Sequence, residues 1–218
     1  MLTLQESASR LAQYPTSVIS DALDELGITG VLPGIEPRRP GQGRVCGRAL
    51  PVKFKLKKDD PDAYRFGGGV GKPLEQVLKT MDDGDVVIID LGGASNAASW
   101  GALASRIAQR RGVRGTIVWG CCRDVDEIRA IGYPVWTAHV SPRRSRNDFT
   151  FGSINEPITV QGVNISRHDL ILADESGVLV VPGDRVAGIL QLAERISAQE
   201  RRLEEEVMSD TIKSWDGV

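Results

Sequence analysis

An unbroken apolar run, Val86-Val87-Ile88-Ile89, closed by Asp90 and followed by Gly92-Gly93, restricts this chain more than any other feature. Because the run does not alternate with polar residues, it reads as a strand covered on both faces, as in a parallel sheet. A helix is expected from about Ser99 to Arg111, with Trp100, Leu103, Ala104, Ile107 and Ala108 at core spacing and Gly112 as its stop. A second apolar strand follows at Thr116 to Trp119. A right-handed crossover makes the two strands parallel and leaves their carboxyl-end loops, Leu91 to Gly101 and Gly120 to Asp124, on one rim.

The flanks extend this alternation. Thr3 and Glu6 form a capping-box pattern ahead of a first helix, and a second helix follows Pro15, with Val18, Ile19, Ala22, Leu23 and Leu26 on one face and Gly27 as its end. Gly30 to Gly43 is too rich in proline and glycine for a regular element, and a strand is expected around Val45 to Phe54. Lys53 to Asp62 reads as an exposed loop of solvated charge. A helix beginning near Pro73 carries Leu74, Val77, Leu78 and Met81. Beyond the second apolar strand come a short helix (Val125 to Ile131) stopped by Gly132, a strand (Pro134 to Ala138) and a basic loop (Ser141 to Asn147). Short strands follow at Ile158 to Val160, Val163 to Ile165, Leu170 to Ala173 and Val178 to Val181. A long charged helix then runs from about 184 to 208.

The expected class is α/β, one domain over 1–218, with its core at about 15–183. A hydrophobic share of 41% can fill that core, and 24 glycines with 11 prolines fall short of low complexity. A net charge of −2 provides no global field for nucleic acid or an anionic membrane. No run reaches the ~18 apolar residues of a membrane helix, and Met1 to Gln13 lacks the pattern of a signal peptide, so a cytoplasmic location is expected. Cys46, Cys121 and Cys122 have no ligand spacing and read as reduced packing residues.

The richest chemistry lies in Gly120-Cys121-Cys122-Arg123-Asp124-Val125-Asp126-Glu127. At a strand end, Arg123 offers a two-pronged cation for a carboxylate, and Asp124 beside it a hard oxygen ligand for a divalent ion. The same residues also read as a helix start, with Asp124 as N-cap and Glu127 completing a capping box. The two roles are compatible. On the facing loop, Gly92-Gly93-Ala94-Ser95 and Trp100-Gly101-Ala102-Leu103-Ala104 let backbone N–H groups approach an anion, although Gly-Gly after a strand is also an ordinary turn.

Asp83-Gly84-Asp85-Val86-Val87, Gly92-Gly93, Gly101, the Arg123-Asp124 block and Ala173-Asp174-x-x-Gly177-Val178 occur in an order and spacing that resemble the RraA-like superfamily, over roughly residues 15 to 205. That family contains metal-dependent 4-hydroxy-4-methyl-2-oxoglutarate aldolases, regulators of ribonuclease activity, and chains mislabelled as demethylmenaquinone methyltransferases. The resemblance implies a swivelling β/β/α-type domain with helical N- and C-terminal extensions, assembled as homotrimers or homohexamers. It implies a class II pyruvate aldolase, with oxaloacetate decarboxylation as a related activity. Arg123 would bind the 2-oxo acid, Asp124 would hold Mg²⁺ or Mn²⁺, and Gly101, Ala102, Leu103 and Ala104 would offer main-chain N–H groups. Glu200 would reach a neighbouring subunit's site, though on so charged a helix solvent exposure is the default.

One departure stands out. Many aldolase relatives carry an acidic residue where this chain has Ala102, which opens the alternative of a metal-dependent keto-acid enzyme of another reaction type; a non-catalytic regulator of a protein or RNA-processing partner is a separate alternative. Asp124 argues against the regulator, since some regulator-type members lack it. Of the remaining polar residues, His139 sits just beyond an apolar strand, His168 lies in a polar turn, and Arg143, Arg144 and Arg146 read as a solvated loop or as a grip for a further carboxylate or an RNA phosphate.

Overall fold

The structure, a computed structural model, describes residues 3–56, 71–145 and 148–209. The strand β3 (Asp85–Asp90) is buried at every residue, as its unbroken apolar run requires. It lies at the centre of a mixed sheet in which β1 (Glu36–Pro37), β6 (Val135–Val140), β5 (Gly115–Cys122), β3, β2 (Val45–Leu56), β10 (Leu170–Asp174) and β11 (Gly177–Val181) follow one another. From β2 through β3 and β5 to β6 the strands are parallel, whereas β1, β10 and β11 join antiparallel. Two further strands pair within it: β4 (Ala98–Trp100) runs parallel to β5, and β7 (Phe149–Ile154) antiparallel to β2. A separate hairpin consists of β8 (Ile158–Val160) and β9 (Val163–Ile165).

Strand alternation assigns side chains to layers. Val87 and Ile89 pack beneath α3 (Gly71–Thr80), α4 (Ala102–Arg110) and α5 (Val125–Ile131), while Val86 and Ile88 face Leu32, Ile35 and the β8–β9 hairpin. A third apolar cluster joins α1 (Leu4–Leu11), α2 (Thr16–Glu25) and α6 (Val186–Met208) to Leu170, Leu172, Leu179 and Val181. Each fully buried aliphatic side chain contributes roughly 1.5–3 kcal/mol. The α/β class expected from the sequence is therefore the one observed. Among the described residues no helix is long and apolar enough to cross a membrane.

Local signals account for some helix ends, among them Gly27, Gly112 and Gly132 after α2, α4 and α5. Thr3 and Glu6 close their capping box. Pro15 has no capping side chain, and α2 is capped from a distance: Asp174 accepts the Thr16 N–H at 2.9 Å and the Thr16 hydroxyl at 2.7 Å.

Four expectations need correction. The helix expected from Ser99 begins only at Ala102, because Ala98–Trp100 forms β4 against the end of β5 and buries Trp100. Residues Gly120–Cys122 belong to β5 and not to a loop, since β4 and β6 pair with them on either side. β7, whose residues are mostly half-buried, falls in a stretch to which the sequence pattern assigned no element. Lys53 lies within β2 and pairs with Asp90 at 2.6 Å, so it is not unpartnered solvated charge. Residues 57–62 of that expected loop lie outside the described residues, as do Arg146 and Asn147 of the basic loop.

Candidate functional site

Two chain segments leave the sheet side by side at the carboxyl end of β5. β4 pairs with that end through an irregular register, Ala98 opposite Cys121 and Trp100 opposite Cys122, and the Arg123 N–H donates to the Trp100 carbonyl at 3.0 Å. Gly101 and the pair Arg123–Asp124 are thereby adjacent. The buried Trp100 indole donates to Ser105 Oγ at 2.9 Å, and that hydroxyl donates to the Gly101 carbonyl at 3.0 Å, fixing the first turn of α4.

Asp124 occupies the N-cap position of α5, yet its side chain makes no capping bond, which corrects the capping-box reading. Its backbone is left-handed, with φ 56° and ψ 42°, a conformation that costs a non-glycine residue on the order of 1 kcal/mol. The carboxylate turns across to the other segment: Oδ2 accepts the Ala102 N–H at 3.2 Å and lies 3.6 Å from Arg123 Nε. A Cβ at Gly101 would stand 2.6 Å from that oxygen, so only glycine lets the two segments approach this closely. Arg123 and Asp124 keep 38% and 35% of their side chains exposed, and a ligand can reach both.

The expected residues Gly101, Ala102, Leu103, Ala104, Arg123 and Asp124 thus come together at one rim. The Ala102 N–H is held by Asp124, and those of Leu103 and Ala104 have no acceptor in their own helix, where the dipole presents a positive end. Leu103 projects into solvent at 73% exposure. A divalent ion would find one protein ligand in this donor set. Asp124 offers a single hard carboxylate, and among the described residues no three His, Cys, Asp or Glu side chains cluster, so the other ligands of such an ion would be substrate and water, as Mg²⁺ tolerates.

Other candidates contribute less. Ala102 is half-buried, while Asp126 and Glu127 are exposed on α5. The three cysteines are free and buried; burial pushes the thiols of Cys46 and Cys122 up to about 12, and that of Cys121 upward, so they remain protonated near neutrality. His139 lies within β6 and is exposed, as is His168. The loop after β6 borders the site, since the Ser141 N–H donates to the Cys122 carbonyl and the Ala98 N–H to the Arg143 carbonyl. Arg143 is paired with Asp148 at 2.8 Å, and Arg144 is exposed. Glu200 is exposed on α6, whose buried residues pack with α1 and α2 and not with the Arg123 rim. Sequence reasoning missed Asp90, which ends β3, holds Lys53 and accepts the Gly92 N–H at 2.7 Å, starting the loop toward β4. Its signal was a carboxylate closing an apolar strand.

Comparison with known proteins gives consistent findings. A family model described as RraA-like, aldolase/RraA, matches residues 16–180. Protein DlpA of Legionella pneumophila is 30% identical over 95% of this chain and 32% of its own length, so the chain spans about a third of that protein. A putative 4-hydroxy-4-methyl-2-oxoglutarate aldolase of Halalkalibacterium halodurans is 30% identical over 89% of this chain and 87% of its own length. The crystal structure of an uncharacterized protein from Pseudomonas syringae pv. tomato matches with a TM-score of 0.83 and 27% identity, covering 96% of this chain and 95% of that one.

Proposed function

The chain belongs to the RraA-like family, and from that premise we propose that it is a divalent-metal-dependent carbon–carbon lyase that releases pyruvate from a 2-oxo acid. The supporting observation is the meeting of a half-exposed guanidinium, a half-exposed carboxylate and the amino end of α4 at one rim. Arg123 binds the substrate carboxylate through two parallel hydrogen bonds, and the Leu103 and Ala104 N–H groups receive a second substrate oxygen. Asp124 would hold Mg²⁺ or Mn²⁺, which when bound withdraws charge from the 2-oxo group. In the reaction the C3–C4 bond breaks, its electron pair remains on the pyruvate fragment as an enolate, and C3 then takes a proton from water.

Ala102 separates two versions of this chemistry. Aldol cleavage of a 4-hydroxy-2-oxo acid also requires the 4-hydroxyl to lose a proton, and a methyl group cannot accept it or position the water that does. Decarboxylation of oxaloacetate forms the same enolate with loss of CO₂ and needs no such base. Oxaloacetate is therefore the favoured substrate, with 4-hydroxy-4-methyl-2-oxoglutarate second. The working form is a cytoplasmic homotrimer or homohexamer of single-domain subunits, in which Glu200 is available to an adjacent subunit.

Pyruvate release from both acids, measured with and without Mn²⁺, tests the reading. Mn²⁺-dependent release that Asp124→Asn abolishes supports it, and Ala102→Asp should shift the product ratio toward aldol cleavage. Failure of the wild-type protein to release pyruvate from either acid would overturn the lyase in favour of a non-catalytic regulator.

A further inference from the structure

At the other end of the sheet, where β2, β3 and β5 begin, a cavity of about 130 Å³ lies beside α1. One wall is apolar, made by Ala8 of α1 and Ala12 at its C-cap with Val45 and Cys46 of β2, and the rest carries Gln5, Ser9, Asp83, Arg44, Arg48 and Arg114. Two of these guanidiniums are fixed. Arg44 donates to Asp174 at 3.3 Å and to the Ala12 carbonyl at 3.1 Å, and Arg48 donates twice to Asp85, at 2.9 and 2.8 Å. Each keeps a terminal nitrogen, Nη2 of Arg44 and Nη1 of Arg48, without a partner among the described residues.

Arg114 differs from both. Among the described residues its side chain has neither an ion-pair partner nor a hydrogen bond, although its backbone is anchored by an N–H bond to the Asp85 carbonyl at 2.7 Å. It stands close enough to Cys46 for its charge to counter part of the rise that burial imposes on that thiol. Asp83, the carboxylate that also lines the cavity, leans onto the neighbouring turn, its Oδ1 lying where a Cβ on Gly112 would stand. The cavity thus combines an apolar wall with one exposed cation that is unpaired among the described residues, spare donors on two fixed guanidiniums, and the single carboxylate of Asp83.

We propose that this cavity binds a small monocarboxylate with an apolar body, at a site separate from the Arg123–Asp124 rim. Its volume is near the ~150 Å³ of an engineered apolar cavity that accepts benzene, which sets one ring as the upper size of the body. A carboxylate suits the planar fork of Arg114, which gains both charge and geometry from it. With eight residues in β5, the two sites lie at opposite ends of a strand about 26 Å long. The proposal does not depend on the lyase reading.

Calorimetric titration with sodium benzoate at constant ionic strength, with benzamide and inorganic phosphate as controls, tests it. Saturable benzoate binding is expected in the wild type, at least tenfold weaker in Arg114→Ala, with benzamide and phosphate each at least tenfold weaker than benzoate. Ala8→Leu, which fills the cavity from its apolar wall, should weaken benzoate similarly, and Arg123→Ala should leave it unchanged. Equal binding by Arg114→Ala, equal binding of benzamide or phosphate, or no binding at all would overturn the proposal. Loss of benzoate binding in Arg123→Ala would do the same, by placing the ligand at the other rim.

Discussion

Each end of the parallel sheet carries an aspartate beside arginine, and the two are built in opposite ways. At the amino end Asp85 is fully buried and saturated: Arg48 donates twice to Oδ1, while Arg167 at 2.9 Å and the Asp82 N–H at 3.0 Å occupy Oδ2. At the carboxyl end Asp124 is half-exposed, sits on left-handed backbone, and has one backbone donor and one loose cation on a single oxygen. A saturated, desolvated carboxylate has no valence left for a ligand and locks the scaffold. An undersaturated carboxylate held in strained backbone is available for one. Residue type is the same at both ends, so the partners decide the role.

The largest expected effect breaks the scaffold side. Asp85→Ala strands Arg48 and Arg167 and should cost about 3–5 kcal/mol of stability, read as a lower denaturant midpoint. Asp124→Asn tests the other side: the amide tolerates left-handed backbone, so the melting temperature should hardly move, while metal-dependent pyruvate release should fall at least a hundredfold, about 3 kcal/mol. A large loss of stability in that variant would erase the contrast between the two ends. Next comes Gly101→Ala, whose Cβ meets Asp124 Oδ2. Separating the two segments by even 1 Å should lower activity roughly a hundredfold with a smaller stability change, and unaltered kinetics would show that their approach is immaterial.

The smallest effect sharpens the comparison with a third aspartate. Burial by itself would raise the carboxyl of Asp174, but the Thr16 N–H and hydroxyl, the Ser176 N–H and Arg44 together hold it below its ordinary value. A lowered folded-state value means a contribution that is present above the ordinary carboxylate range and lost as pH falls through the folded value. Asp174→Asn should therefore cost about 1 kcal/mol at neutral pH, and its melting temperature should converge on that of the wild type in acid. A gap that stays constant down to pH 2 would show that the ionised form does not matter.

Much of the fold could be read from local pattern. β3 declared itself by an apolar run that only a doubly covered strand tolerates, and α5 by Gly132, which ends it at φ 74°. β4 was illegible, because Trp100 and Leu103 fit a helical face and only pairing with Cys121 and Cys122 makes Ala98–Trp100 extended. β7 begins with an alternating Phe149-Thr150-Phe151, but Gly152 and Ser153 interrupt the pattern, and its pairing with β2 completes the strand. Arg123 and Asp124 drew notice as a charged pair at a strand end, but their sequence could not distinguish a helix cap from a ligand group.

By itself the sequence determined the parallel sheet, the helix boundaries marked by glycine, and the small set of residues able to form a rim. These follow from side-chain periodicity and backbone allowance, which act over a few residues. Tertiary structure alone decided that Asp124 reaches across to Ala102, that Asp174 caps a helix 158 residues away in sequence, and that Arg114 stays unpaired among the described residues while Arg48 is locked. Electrostatic pairing depends on distances of a few ångströms between distant parts of the chain, and no local pattern encodes those distances.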